Sequence, residues 1–227
     1  MIAPALTWMA VTLACYIAAL ALYRRSGHRL LCLPVLTGTA LVLVALALAR
    51  IDYSTYATAT GALRWMTGPA IIALAVPLYR QLALLRRWTL PLLAGLLAGC
   101  VTSLLGTLGV AWLTGTPQAV AWSLAPKAAT MPLAMLAVER AGGVPAIAAM
   151  AVVATGVLGP LLAGPVLRGL RIEDDSVRSF TLGLVAHAIG IARVLQTHPD
   201  QVAFAALAMG LNGVATAFLL TWLARCL

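Results

Sequence analysis

Apolar runs of bilayer length recur along this chain, and each ends at an arginine-rich or a proline- and glycine-rich break. A helix of about 20 such residues crosses the hydrocarbon core. No water reaches that depth, so every backbone N–H and C=O there must find its partner within protein. The composition agrees: 63% of the 227 residues are hydrophobic and 9% are charged, with mean hydropathy +1.01. Soluble domains carry roughly a quarter charged residues. The chain therefore reads as all-α, a polytopic integral membrane protein of about seven or eight helical segments.

The runs fall at about 4–23, 30–49, 61–79, 90–113, 118–138, 144–167, 180–195 and 201–223. Between the second and third, Asp52-Tyr53-Ser54-Thr55-Tyr56 suits a helix lying on the membrane surface. Basic stretches at 24–29, 80–87 and 168–178 belong on the cytoplasmic side, which places the N-terminus outside. Residue 113 is then outside and residue 168 inside, so an odd number of crossings must separate them. Two runs lie between. One of them must enter and return on the same face, and Pro126, Pro132 and Lys127 single out 118–138. By the same logic 180–195 is re-entrant from the opposite face. Two interrupted segments, each followed by a full span, are compatible with an inverted repeat around a midplane site, as in secondary transporters. A likeness between 68–79 and 126–138 offers a second repeat boundary. The whole chain, 1–227, is expected to be one membrane domain, with N-terminal spans over 1–116 and a core over 117–227.

Ionisable side chains at membrane depth are costly and by default mark a pathway or a binding site. Lys127 lies in Pro126-Lys127-Ala128-Ala129-Thr130-Met131-Pro132. An ammonium beside broken helix ends attracts a carboxylate, or else the lysine reaches to the headgroups along its own stem. His187 and Arg193 lie in His187-Ala188-Ile189-Gly190-Ile191-Ala192-Arg193, read as a loop centred on Gly190. Arg193 would pair with the anion and His187 would donate a hydrogen bond or carry a proton; the alternative is a buried histidine on a backbone carbonyl and an arginine at the cytoplasmic end. Thr130 and Ser123 orient a ligand oxygen or bond back to helix carbonyls. Asn212 joins the candidate ligand set, although interhelical hydrogen bonding is its default task. Pro77, Pro126, Pro132 and Gly190 are the expected helix breaks or gates.

Several classes are set aside. The net charge of +9 arises from arginines at segment ends, where they meet lipid headgroups, so no nucleic acid is expected. Cys15, Cys32, Cys100 and Cys226 show no metal-binding or disulfide spacing, and neither a metal nor a cofactor is expected. No nucleophile, zincin or phosphate-loop motif occurs, so the chain is not read as an enzyme.

With Gly68-Pro69-Ala70, the run from Ala73 to Gln81, and Ala203-Phe204 with Leu207-Ala208-Met209-Gly210, the lysine and histidine motifs resemble those of the LrgB/CidB family along nearly the whole chain. In that family the lysine motif reads P-K-S-V-T-T-P and the histidine motif H-A-I-G-T-A-R; here Ala128, Ala129, Met131 and Ile191 depart from them, and Gln201 stands where a glutamate is common. The resemblance implies a multi-pass protein of the bacterial inner membrane, described as antiholin-like and tied to murein hydrolase control and lysis, with a small holin-like LrgA/CidA partner. It also implies kinship with a plastid glycolate and glycerate carrier and with proposed pyruvate uptake. A buried cation pair suits small carboxylates, so the expected function is a carrier or facilitator of 2-hydroxy or 2-oxo monocarboxylates, with lysis regulation as the alternative. Gly95 and Gly99, in G-x-x-x-G spacing, permit close helix packing and a homodimer.

Overall fold

The computed structural model describes residues 2–27, 29, 32–66, 69 and 72–226, with side chains described from Ala5 onward except that of Arg64. Positions 28, 30, 31, 68 and 70, which belong to the first basic stretch, the second run and the Gly68-Pro69-Ala70 motif, lie outside the described residues. The described residues form helices and turns and contain no strand. They hold five helices long and apolar enough to cross a membrane, or six with one bent pair. The protein is a multi-pass membrane protein. Its chain forms two compact units, Met1–Ala75 and Val76–Leu227.

In the first unit, α1 (Ile2–Arg25) packs on α2 (Pro34–Ala49). Pro34 opens α2 where its missing N–H costs nothing. The helices are close enough that a Cβ on Gly38 would touch the Ala19 side chain at 3.6 Å. Arg50 ends α2 in a left-handed conformation, φ 53°. The polar stretch that follows forms α3 (Tyr53–Ala59), bent 115° from α2. The Tyr56 hydroxyl lies 3.0 Å from Thr12 Oγ1, and its ring stands edge-on to Trp8. A short helix, α4 (Gly61–Trp65), comes next.

The run at 61–79 does not form one helix among the described residues. Helix α5 (Ala75–Arg80) passes through Pro77 without breaking, because a proline in the first turn removes no intrahelical bond. The turn comes instead at Gln81, before α6 (Leu82–Arg87).

The second unit carries both candidate motifs. Its frame is α7 (Thr89–Leu113), α10 (Pro145–Gly169) and α12 (Val202–Cys226), each 25 residues, or about 38 Å at 1.5 Å per residue. The compact unit begins at Val76 and takes in α7, whose Leu96, Cys100 and Leu104 are buried. Between α7 and α10 the chain makes α8 (Gln118–Leu124), a break, and α9 (Met131–Arg140). It then returns: the Val144 N–H donates to Ser123 Oγ, 2.7 Å, in the last turn of α8.

Between α10 and α12 lies α11 (Asp175–Thr197), 23 residues long but not straight. Its ends meet, with His198 Nε2 3.5 Å from Asp175 Oδ1 and Ser176 Oγ donating to Gln201 Oε1 at 3.0 Å. The reversal sits at His187, φ 44° and ψ −128°. Gly190, expected to be the break, is helical. Its lack of a side chain serves a different need, since a Cβ there would stand 2.1 Å from the Leu182 carbonyl oxygen on the outgoing arm. A Cβ on Gly183 would stand equally close to the Ala205 oxygen of α12. Helix α10 is long and apolar enough to cross a membrane, and the two hairpins adjoin its opposite ends.

Gly183→Ala and Gly190→Ala should each destabilise the detergent-purified protein by about 1–3 kcal/mol or more, read as a lowered melting temperature. Gly210→Ala, which meets open space, should melt like the parent.

Candidate functional site

The tips of the two hairpins meet about halfway along α10 and α12. A broken helix leaves carbonyls without their i+4 donors, and at this depth only protein can supply replacements. Three such carbonyls are served. Asn212 Nδ2, fully buried midway along α12, donates to Ala128 O at 2.7 Å in the first tip and to Leu184 O at 3.0 Å in the second. His187 Nε2 donates to Lys127 O at 3.2 Å. One side chain from α12 and one from α11 thus tie both breaks together.

This uses up Asn212. Both its N–H donors are taken, and its Oδ1 accepts from Thr216 Oγ1 at 3.3 Å, which in turn lies 3.3 Å from Cys100 Sγ. It fastens helices in this structure, the task expected of an asparagine inside a bundle. Ser123 is likewise structural: its buried hydroxyl donates to Ala119 O at 2.6 Å while accepting from Val144.

His187 keeps one face of its ring against α10, where a Cβ on Gly156 would stand 3.1 Å from its Cε1. A non-glycine residue at positive φ costs of order 1–3 kcal/mol and persists only where its surroundings enforce it. Here the bond to Lys127 O and the glycine-lined notch do so. Because a carbonyl can only accept, Nε2 carries the hydrogen, and Nδ1 is the atom left to gain or lose a proton.

Lys127 is half-buried, and its stem does not run to the headgroups. Nζ donates to Ser103 O at 3.3 Å and to Thr107 Oγ1, in the second half of α7. It forms no ion pair with a described carboxylate. Thr130 caps α9 with extended geometry, φ −66° and ψ 147°, and without a side-chain capping bond. Its half-buried hydroxyl points toward α12, 3.9 Å from where a Gly213 Cβ would be. Pro126 is fully buried in the first break, and Pro132 stands in the opening turn of α9, where it starts a helix instead of interrupting one.

Arg193 occupies the returning arm of α11, six residues past His187, hence about 9 Å nearer the hairpin's mouth. It is half-buried, and its carbonyl accepts from Thr197 Oγ1 at 3.0 Å. The described hydrogen bonds join Lys127 to His187, not to Arg193. The two residues that seat the ammonium, Ser103 and Thr107, were not singled out from the sequence. The signal was present in a serine and a threonine four apart, on one face of an otherwise oily helix.

A family model described as the LrgB-like family matches residues 12–226. The chain is similar to the uncharacterized protein YxaC of Bacillus subtilis (strain 168), 32% identical over 216 residues that cover 94% of each chain. An uncharacterized protein of Haemophilus influenzae is 33% identical over 183 residues, 80% of this chain and 79% of the relative. The antiholin-like protein LrgB of Bacillus cereus (strain B4264) is 29% identical over 206 residues, 91% of this chain and 90% of the relative. No solved structure matches.

Asn212→Ala should lower stability by about 1–2 kcal/mol for each carbonyl left unpaired, measured by thermal unfolding in detergent. A melting point equal to the parent's would contradict the role given to Asn212.

Proposed function

The chain belongs to the LrgB-like family, and from that premise we propose that it is a secondary carrier or facilitator of small 2-hydroxy or 2-oxo monocarboxylates in the bacterial inner membrane. One observation carries this reading: the Lys127 amine lies against α7 on neutral oxygens, beside the first hairpin tip, and without a described carboxylate partner. A buried cation lacking a fixed counter-charge is completed by an anion from outside. Lys127 takes the carboxylate and Thr130 offers a hydroxyl from the same tip. His187 Nδ1 holds a coupled proton. Arg193, nearer the mouth of the second hairpin, draws the anion inward from that side. No bond in the ligand is made or broken, so the protein is a carrier and not an enzyme, and needs neither cofactor nor metal.

A second reading is favoured by a relative's name, antiholin-like protein. In it the chain regulates murein hydrolase activity and lysis together with a small holin-like LrgA/CidA partner, and the site is a sensor. The two readings differ in flux. In proteoliposomes of the purified protein alone, labelled glycolate, glycerate or pyruvate should accumulate faster than in empty vesicles. Lys127→Ala and Arg193→Ala should each cut that rate at least tenfold, about the effect of losing one charge-assisted hydrogen bond. Normal uptake by both variants would exclude the site. Uptake that appears only when a small partner is added would favour the second reading.

A further inference from the structure

Helix α7 contributes more to the midplane than a resting place for Lys127. An ammonium has three donors. Two are committed, to Ser103 O and Thr107 Oγ1, and the Thr107 hydroxyl is itself tied down by donating to Ser103 O at 2.6 Å. The head group is therefore held against the helix with one N–H still to be placed. One turn from Thr107 on the same helix stands a second group. The hydroxyls of Thr107, Ser123, Thr155, Thr181 and Thr197 each bond the carbonyl four residues back, the usual way for a hydroxyl in an apolar helix to satisfy itself. The hydroxyl of Ser103 makes no hydrogen bond to any described residue, although it is half-buried near the middle of a membrane-spanning helix. Positions 103 and 107 share one helix face, the face on which Nζ rests.

Resting on the carrier reading of the same site, we infer that Ser103 is a substrate-contacting residue: its hydroxyl takes the oxygen on carbon 2 of a small carboxylate whose carboxyl group is held by Lys127. The pair selects for ligands that carry both oxygens on adjacent carbons. A 2-hydroxy acid accepts from or donates to the hydroxyl and a 2-oxo acid accepts from it, whereas an unsubstituted acid leaves Ser103 unpaired. A site built around a polar group in this way discriminates against ligands that lack its partner.

The test compares glycolate with acetate in proteoliposomes holding full-length protein. Ser103→Ala removes only an unpartnered hydroxyl, so the variant should elute and melt like the parent. Its KM for glycolate should rise about tenfold, the worth of one hydrogen bond, and its KM for acetate by much less. Ser103→Thr, which keeps the hydroxyl, should recover most of the preference. The melting shift that glycolate gives the purified protein should shrink in Ser103→Ala alongside the KM. An unchanged glycolate-to-acetate ratio in Ser103→Ala, or an equal loss for both acids, overturns the assignment and leaves the carrier reading standing. If the wild type takes up neither acid, the carrier reading falls and Ser103's role falls with it.

Discussion

A carbonyl deprived of its helical donor in the middle of a bilayer is the constraint around which the second unit is arranged. Two chain reversals in hydrocarbon strand several such groups, and the structure meets them with polar side chains from neighbouring segments. Asn212 spans both reversals and His187 reaches from one tip to the other. The close helix approaches follow from this demand. Gly183 lets α11 lie against the backbone of α12, and Gly190 lets the returning arm lie against the outgoing one.

Lys127 gains its character from the same arrangement. Its backbone carbonyl is part of the structural network, while its side chain leaves that network and lands on α7. The residue thus contributes to the fold through its backbone and to the proposed ligand site through its side chain. His187 is similarly divided, its Nε2 bound to the framework and its Nδ1 not. The alternatives posed for these residues were not exclusive. The histidine is bonded to a backbone carbonyl, and it keeps an atom suited to proton exchange.

Much of the architecture was legible in the chain. Apolar run lengths located α1, α7, α10 and α12 closely, and counting crossings against the basic loops led to a reversal in each of the two interrupted segments. Proline marked the first reversal through Pro126. The second was misplaced at Gly190, since a glycine in an apolar run is compatible with a bend or with a close approach. The bend fell on His187, whose conformation depends on partners 60 residues away. Pro77 misled for a local reason: a proline breaks a helix only past its first turn. Asn212 stood out as the one asparagine, but only the geometry showed both its donors consumed. The family resemblance lay in motif order along the whole chain and did not depend on these local readings.

The place of Asn212 in the last long helix has a consequence for biosynthesis. Both hairpins emerge from the ribosome before α12 does, so their tips enter the lipid with bare carbonyls and wait for a partner not yet made. Until α12 slides in beside them, the nascent protein carries exposed polar edges at the depth where they are least tolerated. Quality control that senses such edges would therefore distinguish a chain stalled before residue 212 from a finished one, and the closing step of assembly is the arrival of a single amide.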